Sequence, residues 1–188
     1  MIRTPVDDAI GYIKKTVIGD VMNIKKVRVD KEGTGMGWGA VYAQYLESMD
    51  QIGEQGNGLS VSRQLYKGDE ALNESAPLKV GDKITVRLTV KADRDMDFVQ
   101  IKDDRAACME PLQAVSGFRW SNGLGYYQAT KDASTQFFID QMRKGTYVIE
   151  YQVYVNRTGE YQTGIATVQS AYAPEFGGHT GGYRVMVE

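Results

Sequence analysis

Apolar and polar residues alternate most regularly in the last quarter of the chain. Polar side chains such as Glu150 and Gln152 separate apolar ones that fall at every second position: Tyr147, Ile149, Tyr151, Val153, Val155. A two-residue period is that of a strand with one face in the core and the other in solvent. The pattern therefore predicts a half-buried antiparallel strand over residues 147–155.

A second run of the same kind follows the turn residues Gly81 and Asp82, with apolar side chains at Ile84, Val86, Leu88 and Val90. Less regular alternations predict further strands at residues 24–29, 38–46, 59–65, 98–102, 126–130, 136–142, 161–168 and 183–187, and a weak one at 12–17. Residues 59–65 read as an edge-type strand, residues 103–125 as irregular, and residues 51–57 as a linker. Short strands from residue 58 onward, with turn signals roughly every 8 to 12 residues, predict an all-β fold, an antiparallel β-sandwich.

The composition agrees with this fold and narrows the classes of partner. The chain has 188 residues, with 12 Tyr and 21 Gly but only 4 Pro, a balance that suits strands joined by many turns. A net charge of −2 provides no broad field for nucleic acid. No run of about 18 apolar residues is present, so direct membrane insertion is not expected. The opening residues MIRTPVDDAIGYIKK lack the apolar centre of a signal peptide.

One segment matches the letters of a dinucleotide-binding fingerprint. Residues 35–40, GMGWGA, fit GxGxxG/A and follow a predicted strand. However, the loop from Val29 to Gly35 is long for a tight strand-to-helix turn, and Trp38 would crowd a pyrophosphate. We favour a strand over residues 38–46, so no cofactor is expected.

Few residues are available for catalysis or metal binding. His179 is the only histidine and lies among glycines, which predicts an exposed turn residue rather than a general base. Cys108 begins Cys-Met-Glu-Pro, one residue away from the Cys-x-Glu-Gln of an internal thioester, but Pro111 has no amide to condense. Cys108 is therefore expected to be a small buried hydrophobe. The turn at residues 93–97 imitates the start of a calcium loop; we favour a solvated turn, with a weak calcium site as the alternative.

Aromatic residues around the turn Asn122-Gly123 invite a carbohydrate-binding interpretation. Trp120, Tyr126 and Tyr127 would have to be exposed together so that their rings could stack on sugars. Packing in the core is the alternative fate of the same side chains.

Several stretches resemble a known family: GMGWGAVYAQYLESMDQI, LKVGDKITVRLTVKADRDMDFVQ and GTYVIEYQVYVNRTGEYQTGIATVQSAYAPEF. They are similar to the C-terminal region of the bacterial alpha-2-macroglobulin-like proteins, which are protease traps. The resemblance implies a partial CUB-like β-region at residues 1–54 and a macroglobulin-like, immunoglobulin-like β-sandwich at residues 55–188. It implies that the bait region and the thioester domain lie outside these residues.

The resemblance also implies a function. The chain is expected to be a non-catalytic structural and interaction module of a periplasmic, outer-membrane-attached or extracellular protease inhibitor, with neighbouring domains as partners and the protease engaged elsewhere in a longer chain. Tyr172, Pro174 and Glu175 in the loop AYAPEFGG are the candidate contact residues. The alternative is a carbohydrate- or adhesin-type module that uses Trp120, Tyr126 and Tyr127. No catalytic residue, cofactor or metal is predicted.

Overall fold

The computed structural model describes residues 13–19, 24–42, 44–73 and 76–188. The chain divides into two compact units, with the boundary between Leu46 and Glu47. In the first unit the described residues form no helix and no strand. The predicted strands at residues 24–29 and 38–46 are therefore wrong, and Tyr12 of the weak strand at 12–17 lies outside the described residues. Alternation tells which face a strand would bury, but a strand forms only where a neighbour satisfies its backbone groups.

The glycine motif at residues 35–40 lies in this first unit. No helix follows it among the described residues, so the strand-turn-helix that a dinucleotide needs is missing there. The assignment of residues 1–54 to a CUB-like region stays a prediction.

The second unit is all-β, as predicted. After a 3₁₀ turn at Met49–Gln51, its described residues form fourteen strands. They are β1 Gln55–Asn57, β2 Leu59–Lys67, β3 Glu70–Ala71, β4 Lys83–Ala92, β5 Met96–Asp104, β6 Met109–Pro111, β7 Gly117–Ser121, β8 Leu124–Thr130, β9 Ser134–Met142, β10 Gly145–Val155, β11 Gly159–Gln162, β12 Ala166–Ser170, β13 Gly177–His179 and β14 Arg184–Val187.

The strands form two layers that face each other. The hydrogen-bonded order is β6-β10-β4-β2-β1-β13-β12-β5-β9-β8-β7, and β3 also pairs with β2. The short strands β1 and β13 join one layer, β6-β10-β4-β2, to the other, β12-β5-β9-β8-β7, while β11 and β14 form a separate antiparallel ribbon. Rings from opposite layers meet in the middle, where Phe137 and Tyr151 have their centroids 5.9 Å apart. The fold is an antiparallel β-sandwich.

The core follows the alternation in the sequence. Of the apolar positions of β4 and β10 that the pattern assigned to the interior, Tyr147 is half-buried against the core. The others are buried: Ile84, Val86, Leu88, Val90, Ile149, Tyr151, Val153, Val155. β2 pairs with β4 along its length, whereas β1 and β3 cover only its ends on the other side, as expected for an edge-type strand. Cys108 is fully buried, which confirms its expected role as a small hydrophobe.

Three segments differ from the sequence-based prediction. Residues 103–125, predicted to be irregular, contain β6 and β7, and the predicted linker at 51–57 contains β1. The predicted strand at residues 161–168 is two strands, β11 and β12, interrupted at residues 163–165. Gly164 packs against β5, since an added Cβ atom would lie 2.8 Å from the carbonyl oxygen of Asp104.

His179 is not an exposed turn residue. It lies half-buried on β13, between β1 and β12, where it aligns with Gln55 and Thr167. The glycines before it permit close approach within the sheet rather than a turn. An added Cβ atom would lie 2.9 Å from the Val168 carbonyl oxygen at Gly177 and 2.7 Å from the Leu59 carbonyl oxygen at Gly178.

Candidate functional site

The described residues offer no assembled metal centre. No group of three or more His, Cys, Asp or Glu side chains among them could hold a metal ion. In the turn that imitates a calcium loop, Asp93 accepts a hydrogen bond from Arg94, and Asp95 accepts one from the backbone N–H of Lys144 at 2.7 Å. These carboxylates serve the turn itself, which favours the solvated turn over the calcium site.

A row of exposed aromatic rings lies on the outer side of β7, β8 and β9. We call it the aromatic face; it consists of Phe118, Trp120, Tyr127 and Phe138, which are 80, 77, 36 and 39% exposed. Phe118 is aligned with Tyr127, and Tyr127 with Phe138, on adjacent strands. The Phe118 and Tyr127 rings meet edge to face at 5.1 Å.

Trp120 extends the aromatic face over a glycine on the adjacent strand. A Cβ atom added at Gly125 would lie 2.8 Å from both Cε3 and Cζ3 of Trp120, so only glycine leaves room for the indole to cover the strand. Asn122 and Gly123, with φ of 51° and 77°, form the tight turn between β7 and β8. This turn fixes the register that brings Trp120 opposite Gly125.

Tyr126 does not belong to the aromatic face, so the predicted surface of three exposed aromatics is wrong for this residue. It is 6% exposed and packs edge to face against Phe137 at 5.6 Å. Consecutive residues of a strand point to opposite faces, so Tyr126 and Tyr127 cannot share a surface. Burial raises the pKa of the Tyr126 hydroxyl, against an opposing effect of Arg119.

The closing loop presents a second, smaller aromatic surface. Tyr172 is 80% exposed and meets Phe98 edge to face at 5.1 Å. Phe98 has a positive φ of 52°, and it is skipped in the otherwise continuous register between β5 and β9. Pro174 and Glu175 are exposed, and their backbone carbonyls are held by the side chains of Gln169 and Asn57. The loop is thus anchored while Tyr172 remains accessible.

A buried polar cluster, which sequence analysis missed, joins the two layers. Arg63 on β2 donates from Nη1 to Oδ1 of Asp103 on β5 at 2.7 Å. Its Nη2 donates to the Thr163 hydroxyl at 3.0 Å and to the Gly164 carbonyl at 2.6 Å. Tyr151 on β10 donates its hydroxyl to Oδ2 of Asp103 at 2.7 Å. The Arg63 and Asp103 side chains are 4 and 1% exposed, so no ligand reaches this interlayer cluster.

The electrostatics of the interlayer cluster keep Arg63 charged and Tyr151 neutral. Burial disfavours the charge of Arg63, but the Asp103 carboxylate outweighs it and raises the pKa of the guanidinium. Burial, reinforced by the same carboxylate, raises the pKa of the Tyr151 hydroxyl well above its usual value. Tyr151 therefore stays a neutral donor, and the cluster is a structural cross-link without an activated nucleophile.

A sequence signal for this cluster exists. Arg63 occupies the inward phase of β2 with Leu59 and Val61, and Asp103 occupies the inward phase of β5 with Val99 and Ile101. A charged residue at a position that alternation assigns to the core requires a buried partner of opposite charge.

Comparison with known proteins identifies the family. Residues 58–175 match the family model of the bacterial alpha-2-macroglobulin MG10 domain. The chain belongs to this family. The resemblance seen in the sequence is thereby confirmed, and the matched residues include the aromatic face, the interlayer cluster and the exposed Tyr172.

Solved structures agree on the fold of this MG10 domain. Salmonella alpha-2-macroglobulin reacted with methylamine matches with a TM-score of 0.59 and 20% identity, over 72% of this chain and 10% of that one. Escherichia coli alpha-2-macroglobulin activated by porcine elastase matches with a TM-score of 0.62 and 16% identity, over 73% of this chain and 14% of that one.

One curated relative carries a different name and is much longer than this chain. Circularly permutated Ras protein 2 of Dictyostelium discoideum is 28% identical over 166 residues, which are 85% of this chain and 4% of that protein. The chain therefore spans only a small part of the relatives that it matches.

Proposed function

We propose that this MG10 domain is a non-catalytic structural and interaction module of a longer chain of the alpha-2-macroglobulin protease-trap type. The observation that carries the proposal is the aromatic face, together with the Tyr172–Phe98 pair. Rings of this size exposed on a well-packed sandwich are typical of surfaces that another protein domain covers. In this proposal the bait region and the thioester domain belong to other parts of the longer chain.

The loop residues Tyr172, Pro174 and Glu175 would form one contact with a neighbouring domain, and the aromatic face another. The target protease would be engaged by the longer chain rather than by these residues. Within the described residues no helix is long and apolar enough to span a membrane. We infer a periplasmic or extracellular location from the family, attached through the longer chain.

Footprinting tests the interaction role. Hydroxyl-radical oxidation of Trp120 and Tyr172 would be compared between the isolated chain and a longer chain that contains it, with the exposed Tyr154 as reference. Protection of Trp120 or Tyr172 in the longer chain, at unchanged Tyr154 oxidation, supports a domain contact. Equal oxidation of all three residues in both samples would refute it.

A protease assay tests the non-catalytic role. The isolated chain is expected neither to slow trypsin or elastase on a macromolecular substrate nor to form a covalent adduct with either enzyme. Inhibition or capture by the isolated chain would show that the passive assignment is wrong.

A second candidate, a carbohydrate-binding module, is favoured by the position of Trp120 over Gly125. An exposed indole lying against a strand offers a platform for a sugar ring. Glycan-array binding that disappears in Trp120→Ala and Tyr127→Ala, while Tyr172→Ala still binds, would establish this function. Absence of glycan binding in the wild-type chain would eliminate it.

A further inference from the structure

A polar cleft opens on one side of the sandwich, where the outer strands of the two layers do not meet. It has a volume of about 460 Å³ and lies between β10 on one layer and β7 and β8 on the other. We call it the side cleft; its polar lining residues are Gln113, Arg119, Tyr126, Gln128, Glu150 and Gln152. The volume falls within the range of roughly 300 to 1,000 Å³ that is usual for ligand sites.

Two strand edges border the side cleft. β6 pairs with β10 only at residues 153–155, and β7 is the last strand of its layer. Asn122, in the turn between β7 and β8, reaches β10, where its Nδ2 donates to the Val148 carbonyl at 3.1 Å. Leu112, which lines the cleft, donates its backbone N–H to the Gln152 carbonyl at 2.9 Å. Between Val148 and Gln152 the edge runs about 13 Å, at roughly 3.3 Å per residue.

The strongest indication of a ligand is Gln128. Its position on β8 is in the inward phase with Leu124 and Tyr126, and the residue is 5% exposed. Its side-chain amide lines the cleft and makes no hydrogen bond within the part of the chain that the structure describes. Both amide atoms remain accessible from the cleft, so they can donate and accept hydrogen bonds to an occupant.

Arg119 provides a positive charge at the same place. Its guanidinium donates to the backbone carbonyls of Phe118 at 3.1 Å and Val115 at 3.3 Å, and it forms no ion pair among the described residues. Glu150, the one carboxylate in the lining, is already paired with Arg87 across the strands. The side cleft therefore combines a cation that lacks a carboxylate with several amides that can both donate and accept hydrogen bonds.

We propose that the side cleft binds an extended peptide segment that carries an aspartate or glutamate side chain. The ligand carboxylate would pair with Arg119, and the amides of Gln113 and Gln128 would bond to its backbone N–H and C=O groups. A glutamine amide offers the same donor and acceptor as a peptide group, and the 13 Å edge accommodates about four extended residues. This site is distinct from the aromatic face, which lies on the outer side of the same strands.

Titration of the full chain by two-dimensional amide NMR tests the proposal. The probe is a blocked hexapeptide of alternating threonine and aspartate, and the matched probe has asparagine in place of aspartate. We expect the acidic peptide to shift the backbone amides of Arg119, Gln128 and Gln152, and the neutral one to bind about fivefold more weakly or worse. Glucuronate is the third probe, because a sugar acid carries the same carboxylate.

Two variants and a control test the roles of the Arg119 charge and the Gln128 amide. Arg119→Gln should weaken binding of the acidic peptide about fivefold, whereas Arg143→Gln, an equal charge change at an exposed site on another turn, should not. Gln128→Leu should fold about as stably as the wild type, because no hydrogen bond to a described residue is lost, and yet bind the peptide more weakly.

The proposal is overturned by three outcomes. These are no shifts at the cleft residues up to millimolar peptide, equal affinity for the acidic and neutral peptides, or binding of glucuronate without binding of the peptide. Loss of stability in Gln128→Leu would also count against it, because the amide would then have a partner in the folded protein.

Discussion

Replacing Asp103 with alanine is expected to destabilise the sandwich more than the loss of any exposed ion pair. The substitution leaves the Arg63 guanidinium, with its side chain only 4% exposed, without its carboxylate, and removes the acceptor of the Tyr151 hydroxyl. Breaking a buried pair by removing one partner costs about 3–5 kcal/mol. Domains of this size have a total unfolding free energy of only about 5–15 kcal/mol.

Urea denaturation followed by circular dichroism measures this loss. With a slope of about 2 kcal/mol/M, the midpoint should fall by about 1.5–2.5 M. Fluorescence is a poor probe because Trp38 and Trp120 are 91 and 77% exposed. The control is Glu160→Ala, which removes an exposed partner of Arg184 and should cost less than about 1 kcal/mol. A midpoint shift below about 0.5 M for Asp103→Ala, at unchanged slope, would refute the reasoning.

A triple substitution in the interlayer cluster is expected to be milder than Asp103→Ala. Replacing all three groups by apolar ones, with Arg63→Met, Asp103→Leu and Tyr151→Phe together, removes the buried charges instead of leaving one unpaired. Such replacements are often neutral or stabilising, so the triple variant should be more stable than Asp103→Ala alone. A triple variant less stable than the single one would mean that the cost comes from lost packing rather than from an unpaired charge.

Three further outcomes are expected. Gly164→Ala should cost about 1–3 kcal/mol in urea denaturation because its Cβ would press on the Asp104 carbonyl, while Gly53→Ala, with open space around it, should change stability by less than about 0.5 kcal/mol. Burial raises the pKa of the Cys108 thiol, so iodoacetamide at pH 8 should label the native chain at least about tenfold more slowly than the chain in urea, and equal rates would contradict its burial. Trp120→Ala should lower the free energy of unfolding by less than about 1 kcal/mol, because the indole is largely exposed; a larger loss would place it in the core.

The long strands could be predicted from the sequence because their alternation is complete. β4 and β10 each place four or more apolar side chains on one face, and both appear in the structure with the predicted face buried. The all-β class followed from the same periodicity. These strands pair with each other over ten residues, so each supplies the partner that the other requires.

Alternation could not predict the very short strands or a strand whose apolar side chains face outward. β6 has three residues, too few for a period to be visible. β7 reverses the usual order, since Phe118 and Trp120 point outward while Arg119 lines the side cleft. Residues 24–29 show the opposite failure, because they alternate well but find no neighbouring strand among the described residues. Pairing depends on distant parts of the chain, and a local pattern carries no information about it.

The candidate sites, too, could be predicted only in part. Trp120, Tyr127 and Tyr172 were expected to be exposed and are. Tyr126 was expected beside Tyr127 although adjacent residues of a strand face opposite ways, so the alternation used for β10 would have corrected it. The side cleft depends on which strands end each layer, which only the topology reveals.

The interlayer cluster fixes how one layer lies on the other, which the apolar core alone does not. Contacts among Leu, Ile and Val side chains are non-directional, so they favour two stacked layers without fixing how one lies on the other. Arg63 reaches Asp103 on one strand and Gly164 between two others, at 2.7 and 2.6 Å, and these bonds tolerate little displacement. The position of β5 and its neighbours relative to β2 is thereby fixed. Strand pairing continues from β2 to β10 in one layer and from β5 to β7 in the other, so the same bonds also set the positions of β7 and β10 beside the side cleft.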